Sequence, residues 1–176
     1  IKDGQIIKAG DCVICLAASG NTNYPVTIMQ MCKEIGATTI GIANNPNTKL
    51  LEKSDIPILL STPPEVIAGS TRLGAGTAQK IALNMMSSCM GIYLGNVMDG
   101  MMVNLIANNI KLFKRSEEIV MNITGCTREQ AAKSLQRSKG AVKLAILLIE
   151  GAKTLSEAKQ FLDQEMQNLR AAISAL

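Results

Sequence analysis

The sequence predicts an α/β fold in which a small parallel sheet flanked by helices is followed by a small all-helical module. Short apolar runs of strand length alternate with helical patterns up to Leu60, and this alternation is typical of a parallel sheet. No strand pattern returns from Thr71 onward. The later segments are helical and are separated by glycines and capping residues, which indicates a bundle of short helices.

Strands are predicted at Asp11–Ala18, Thr38–Ala43 and Ile56–Leu60. The first run is apolar without alternation, so we expect both of its faces to be buried under helices. Helical patterns at Val26–Ile35 and Lys49–Lys53 lie between the runs. Because the connections are short, we expect the strands to be parallel and joined by right-handed crossovers.

The second half of the chain is predicted to contain a series of helices, at Thr71–Leu94, Met98–Lys114, Arg115–Thr124, Arg128–Ser138, Ala141–Glu150 and from Thr154 to about Leu169. Glycines follow several of them, and two threonines stand three residues before a Gln or Glu, the spacing of a capping box. The residues concerned are Gly125, Gly140 and Gly151, with the pairs Thr127–Gln130 and Thr154–Glu157. We expect residues 1–112 to form the sheet domain and residues 113–176 a separate helical module.

The composition excludes several kinds of chemistry. The chain has no histidine, which removes histidine-based catalytic triads and histidine-ligated zinc. Two Tyr and two Phe among 176 residues, without Trp, leave almost no platform for stacking bases. The net charge of +4 falls on residues 111–176, where acidic residues are interleaved with the basic ones. We interpret this as solvated helix faces and expect no nucleic-acid partner, with a nucleic-acid-binding patch as the alternative.

The five cysteines are scattered and are expected to be reduced thiols. Cys12 and Cys15 have C-x-x-C spacing, but they lie within a predicted strand, where positions three apart face opposite sides. We therefore expect neither a redox motif nor a metal site. No secretory signal is recognisable, and the apolar segment Ile81–Leu94 is too short to span a bilayer. These features favour a cytoplasmic protein with no membrane partner.

The loop after the first strand is the first candidate site. Ligands of open parallel sheets bind beyond the carboxyl ends of the strands. Ser19, Gly20, Asn21 and Thr22 follow the first strand and lead into a helix. Small hydroxyl side chains and free helix N–H groups favour a phosphate there, and Gly20 lets the backbone approach the anion. The alternative is ordinary helix capping by Ser19 or Thr22.

The loop after the third strand is the second candidate site. Glu65 stands at its start, and Ser70, Thr71 and Arg72 lie where the next helix begins. The carboxylate could take a proton from carbon or bind a sugar hydroxyl, and Arg72 could pair with an anion. The alternative is a capped, solvated helix start with a surface ion pair. Residues 74–76 (GAG) lack the third glycine of a dinucleotide fingerprint, so no nucleotide cofactor is expected.

Both loops resemble known sequences. Residues 17–22 (AASGNT) resemble the serine-containing phosphate loop of the sugar isomerase (SIS) domain. Residues 64–72 (PEVIAGSTR), 75–80 (AGTAQK) and 83–85 (LNM) closely resemble the N-acetylmuramic acid 6-phosphate etherase family. So do the segments IGI at 40–42 with NP at 45–46, NNIKL at 108–112, and IVM at 119–121 with TGC at 124–126. The similarity runs from about Gly10 to Ile149, and the tail resembles the family's C-terminal module, which is like a ubiquitin-associated (UBA) domain.

The resemblance implies an activity and a site. The family cleaves the D-lactyl ether of N-acetylmuramic acid 6-phosphate to N-acetylglucosamine 6-phosphate and D-lactate in peptidoglycan recycling. The reaction is an elimination followed by addition of water and needs no cofactor or metal. The family is dimeric, so a homodimer is expected. Ser19, Asn21 and Thr22, with the backbone at Gly20, would hold the phosphate of a sugar-phosphate ligand. Ser70, Thr71 and Arg72 would complete the polar wall, and Glu65 would contact a sugar hydroxyl.

Three departures from the family pattern define an alternative. The family has about half a domain more before the point where this chain begins, and it carries the two glutamates assigned as acid and base. The catalytic residues of this chain are therefore unknown, and we expect it to be inactive alone. Position 21 is usually Arg and position 74 usually Lys, whereas this chain has Asn21 and Gly74. The alternative is a non-catalytic phosphosugar-binding regulator, similar to the distantly related glucokinase regulatory protein.

Overall fold

The computed structural model describes residues 6–176. Residue packing divides the chain into two compact units, one ending at Met85 and the other covering Met86–Leu176. Each unit is described by itself. The sequence-based domain boundary after residue 112 stays a prediction, and the packing division lies much earlier in the chain, inside a long helix.

The first unit contains the predicted parallel sheet. Its elements are β1 (Cys12–Ala17), α1 (Asn23–Ile35), β2 (Thr38–Ala43), α2 (Lys49–Lys53), β3 (Ile56–Leu59) and the start of α3 (Gly74–Tyr93). The strands lie in the order β1-β2-β3. Both pairs are parallel, with Cys12 opposite Thr38 and Ile40 opposite Ile56. The α/β prediction is confirmed.

Helices α1 and α2 pack against the sheet. Val26 and Met29 of α1, Leu50 of α2 and Cys15 of β1 form one buried cluster. Gly41 of β2 allows the close approach, because an added Cβ would lie 2.6 Å from the carbonyl oxygen of Leu50. The expectation that both faces of β1 are buried is wrong, since Ile14 is 38% exposed.

The second unit begins within α3 and continues with a hairpin that the sequence reading missed. β4 (Val97–Met98) and β5 (Met101–Met102) are antiparallel, so the predictions of no further strand and of a helix from Met98 are wrong. Asp99 and Gly100 turn the chain with φ of 49° and 75°, the backbone typical of an Asp-Gly hairpin turn.

The remaining elements are the short helices of the expected bundle: α4 (Ile110–Thr124), α5 (Arg128–Arg137), α6 (Val142–Glu150), α7 (Leu155–Gln164) and α8 (Leu169–Ser174). Helix α4 starts at its cap Asn109, whose side chain accepts from Leu112 N, and it continues through the predicted break at residue 115. The predicted last helix ends at Gln164 rather than near Leu169, because Met166 and Gln167 have positive φ, and α8 was not predicted. The apolar faces of these helices share one core, which includes Val120, Leu135 and Ile146.

The capping predictions are largely confirmed. Thr127 and Gln130 form a complete capping box at α5. Thr154 caps α7 by accepting from Glu157 N, but the Glu157 carboxylate accepts from Lys153 N rather than completing the box. Among residues 6–176, none of the helices combines the length and the apolar character that crossing a bilayer requires.

Candidate functional site

A cleft opens at the carboxyl edge of the sheet in the first unit. Its volume is about 330 Å³, which is in the range of pockets for small ligands. The lining residues follow the ends of all three strands and include the start of α3: Ala18, Asn44, Asn45, Thr62, Pro63, Pro64, Glu65, Gly69, Thr71 and Ala75. Glu65 and Thr71 of the predicted site residues therefore line this cleft, as expected for loops at the carboxyl edge of an open parallel sheet.

The loop between β1 and α1 presents two exposed hydroxyl groups. Ser19 Oγ lies 3.3 Å from Thr22 Oγ1, and Asn21 N donates to Ser19 Oγ over 3.3 Å. Thr22 is the N-cap residue of α1, yet its side chain makes no capping hydrogen bond. The capping alternative for Thr22 is thus not observed. The hydroxyls and the first turn of a thirteen-residue helix remain available to an anion.

Helix α2 fixes the loop between β1 and α1 through two hydrogen bonds. Leu50 N donates to Gly20 O over 3.0 Å, and Lys49 N donates to Asn21 Oδ1 over 3.1 Å. Gly20 is buried and has a φ of 66°, and a Cβ at this position would overlap the side chain of Thr48. The backbone of Gly20 is therefore fixed in a conformation and a space that only glycine accommodates. The side-chain oxygen of Asn21 already accepts a hydrogen bond from α2. The side-chain NH2 group of Asn21 is therefore the part that can donate to a ligand.

Glu65 caps α3. Its carboxylate accepts from Gly74 N over 2.8 Å and from Ala75 N over 2.9 Å. These hydrogen bonds, from Ala75 and then Gly74, lower the pKa of the Glu65 carboxyl, because they stabilise its charged form. A carboxylate with a lowered pKa is a weaker base. The geometry therefore disfavours removal of a proton from carbon by Glu65 and leaves its role as a hydroxyl acceptor open.

The other residues of the second loop form the turn that leads into α3. Leu73 N donates to Ser70 O, and Gly76 N donates to Thr71 O over 2.8 Å. Ser70 is partly buried, whereas Thr71 and Arg72 are exposed. Neither Ser70 nor Arg72 lines the cleft. In the described part of the chain, Arg72 forms no ion pair with Glu65. The alternative interpretation of this loop was a capped helix start with a surface ion pair. The structure shows the cap but not the ion pair.

Two asparagines of the cleft were not predicted as site residues. Asn44 and Asn45 directly follow β2. Asn45 Nδ2 donates to Ala18 O over 3.0 Å, and Asn44 bonds to the residue after β3 and to α3. Their position after the middle strand, at the same edge as the Ser19 loop, was the signal that could have identified them.

The described residues contain no cluster of acidic, cysteine or histidine side chains that could hold a metal ion. Cys12 is exposed and Cys15 is buried, in agreement with their expected placement on opposite sides of the strand. Burial raises the pKa of the Cys15 thiol, and nearby Cys32 raises it further. The site is therefore built from hydroxyl, amide, carboxylate and backbone groups.

Comparison with known proteins agrees with this architecture. Residues 2–88 match the SIS domain family. The chain carries a SIS domain. The match includes the three strands, the Ser19 loop, the cleft and most of α3, and it confirms the resemblance inferred from residues 17–22.

The chain is also similar to curated N-acetylmuramic acid 6-phosphate etherases. It is 42% identical to the protein of that name from Deinococcus radiodurans, over 92% of this chain and 54% of the relative. It is 40% identical to one from Clostridium botulinum, over 100% of this chain and 59% of the relative. A third, from Geobacillus thermodenitrificans, is 41% identical over 98% of this chain and 59% of the relative. The chain thus spans somewhat more than half the length of these relatives.

Proposed function

We propose that the SIS domain of this chain binds a sugar phosphate, with the phosphate held by the Ser19–Thr22 loop. The observation that carries the proposal is the uncapped first turn of α1 beside the exposed hydroxyls of Ser19 and Thr22. Free N–H groups at a helix N-terminus favour an anion. The side-chain NH2 group of Asn21 would add a further donor. Gly20 N already donates to Ala17 O over 3.0 Å, so Gly20 would contribute by letting the backbone approach the anion.

The sugar would occupy the cleft next to this loop. Glu65 would accept a hydrogen bond from a sugar hydroxyl, because a carboxylate oxygen can accept more than one hydrogen bond. Thr71 would complete the polar wall, and Ser70 would support it from the adjoining turn, where its carbonyl oxygen accepts from Leu73 N over 3.1 Å. Arg72 is exposed and would supply a positive charge to the phosphate as it enters.

We further propose that the whole protein is an N-acetylmuramic acid 6-phosphate etherase. The names of the relatives and the identity of about two residues in five support this proposal. The reaction would eliminate D-lactate and add water, without a cofactor. The acid and the base are not assigned to residues of this chain. A homodimer in the cytoplasm is part of the same proposal.

Removal of the Ser19 hydroxyl tests the phosphate site. We expect Ser19→Ala to weaken the binding of glucosamine 6-phosphate about tenfold, the value of one such hydrogen bond. The measurement is calorimetric titration, and Ser156→Ala, at an exposed position of α7, is the matched control. An unchanged affinity in Ser19→Ala would refute the assignment of the loop.

A non-catalytic phosphosugar-binding regulator is the second candidate function. It is favoured by the neutral side chain at Asn21, whose carbonyl is engaged by Lys49 N, and by the absence of a side chain at Gly74. Two cations that the etherase family usually has near the ligand are thereby replaced. A regulator would bind sugar phosphates without converting them.

A further inference from the structure

Asn44 joins the elements that surround the cleft. It is 5% exposed and follows β2 directly. Its backbone N–H donates to Ala18 O over 3.1 Å, and its Nδ2 donates to Leu60 O over 2.9 Å and to Ala75 O over 3.5 Å. Ala18 follows β1, Leu60 follows β3 and Ala75 lies in the first turn of α3. One buried residue therefore joins the ends of β1 and β3 to α3, through its backbone N–H to β1 and through its side chain to β3 and α3.

Gln79 completes the hydrogen bonding of Asn44. Its Nε2 donates to Asn44 Oδ1 over 2.9 Å. The orientation of the Asn44 amide is determined by its surroundings, because Nδ2 faces two carbonyl oxygens, which can only accept. Rotation of this amide would set Oδ1 against Leu60 O. Asn44 Oδ1 therefore requires a donor, and the side chain of Gln79 supplies it.

The network continues to Glu65 through Ala75. The carbonyl oxygen of Ala75 accepts from Asn44, while its N–H donates to Glu65 Oε1. Gly74, one residue earlier, donates to Glu65 Oε2. The position of the Glu65 carboxylate in the cleft thus depends on the first turn of α3, which Asn44 and Gln79 hold against the sheet.

We infer that Asn44 and Gln79 are positioning residues that determine where Glu65 meets the sugar part of a hexose phosphate. This inference rests on the proposed function. The Ser19 loop is held by separate hydrogen bonds from Lys49 N and Leu50 N of α2. A change at Gln79 should therefore weaken the recognition of the sugar and leave the recognition of the phosphate unchanged.

The substitution Gln79→Glu tests the network through its pH dependence. An ionised glutamate at position 79 would place an acceptor oxygen against Asn44 Oδ1, which is itself an acceptor. A protonated glutamate could donate a hydrogen bond to Asn44 Oδ1, as Gln79 does. At about pH 8 we expect the variant to bind glucosamine 6-phosphate at least tenfold more weakly than the unaltered chain. At about pH 4, where a glutamate of ordinary pKa is mostly protonated, the ratio of the two affinities should return to within about threefold. The phosphate group of the ligand also titrates between these pH values. Because this titration affects both proteins equally, it cancels in the ratio of their affinities.

Inorganic phosphate and a matched variant are the controls. Gln79→Glu should bind inorganic phosphate as the unaltered chain does at both pH values. Gln30→Glu, the same change at an exposed position of α1, should bind both ligands normally. Equal binding of glucosamine 6-phosphate by Gln79→Glu and the unaltered chain at about pH 8 would overturn the inference. A parallel loss of inorganic phosphate would also overturn it, because the role would then be structural. Absence of hexose-phosphate binding by the unaltered chain would instead overturn the proposed function.

A second variant gives a readout that needs no ligand. Gln79→Met removes the donor without adding a charge and remains usable if Gln79→Glu does not fold. We expect the pKa of the Glu65 carboxyl, followed by carbon-13 NMR, to move toward its ordinary value in Gln79→Met as the Gly74 and Ala75 N–H groups shift. An unmoved Glu65 titration in a folded Gln79→Met variant would contradict the inference regardless of the ligand.

Discussion

At the scale of single residues, Gly20 shows how closely the candidate phosphate loop is constrained. Its positive φ is a conformation that side chains disfavour, and its Cα faces the Thr48 side chain. Thr48 is buried, and its hydroxyl has no hydrogen-bond partner in the described structure. Helix α2 and the loop therefore fit together only without a side chain at position 20.

The substitution Gly20→Ala should consequently destabilise the first unit by about 2–4 kcal/mol, since it combines backbone strain with overlap. Urea unfolding measures the effect. Gly69→Ala is the matched control, because Gly69 also has a positive φ, of 78°, but has open space around its Cα; it should cost about 1 kcal/mol. Equal losses of unfolding free energy in the two variants would show that the overlap with Thr48 does not contribute to the destabilisation.

At the scale of secondary-structure elements, Asp55 joins three of them. It precedes β3 and accepts from Thr39 N and Thr39 Oγ1 of β2 at 2.9 and 2.7 Å. It also pairs with Lys33 of α1 at 2.8 Å. The hydrogen bond from Lys33 and those from Thr39 lower the pKa of Asp55 to about 2, because each of them stabilises the carboxylate.

This lowered pKa predicts an acid-dependent stability. The pKa of an unfolded aspartate is 3.8, so the contribution of Asp55 is fully present above about pH 5 and is lost as the pH falls toward about 2. Asp55→Asn should lower the thermal midpoint near neutral pH and reduce the loss of stability in that acidic range. Glu34→Gln, which alters an exposed carboxylate of α1, is the control. An unfolding profile of Asp55→Asn that parallels the unaltered chain throughout would contradict the assignment.

At the scale of the whole molecule, the curated relatives are longer than this chain, and this difference in length matters for the expected activity. The chain spans 54–59% of the length of three of its curated relatives. Its SIS domain contains the cleft that we propose as the sugar-phosphate site, and hydrogen bonds from Ala75 N and Gly74 N lower the pKa of the Glu65 carboxyl there. We therefore expect that binding of the proposed ligand and catalysis can be tested separately.

We accordingly expect the chain to bind glucosamine 6-phosphate but to release no D-lactate from N-acetylmuramic acid 6-phosphate. A coupled lactate assay measures the reaction, with the Deinococcus radiodurans relative as the positive control. Release of lactate by the chain alone would overturn this expectation and would also exclude the regulator as its function.

The sequence by itself determined the elements that depend on local pattern. The apolar runs of β1, β2 and β3 and the caps at Gly125, Thr127 and Thr154 were predictable because burial patterns and capping interactions extend over only a few residues. The hairpin at Asp99–Gly100 was missed because its strands are only two residues long and the surrounding apolar spacing also suits a helix.

Only the tertiary structure decided which side chains share the cleft. Both candidate loops were found in the sequence because parallel strands end at one edge. The sequence could not show that Glu65 turns toward Gly74 and Ala75, or that Gln79 meets Asn44 across 35 positions. Such pairings depend on where α3 packs and on the requirement that buried amides and carboxylates find partners. That requirement acts between groups that are distant in the chain, so it produces no periodic pattern in the local sequence.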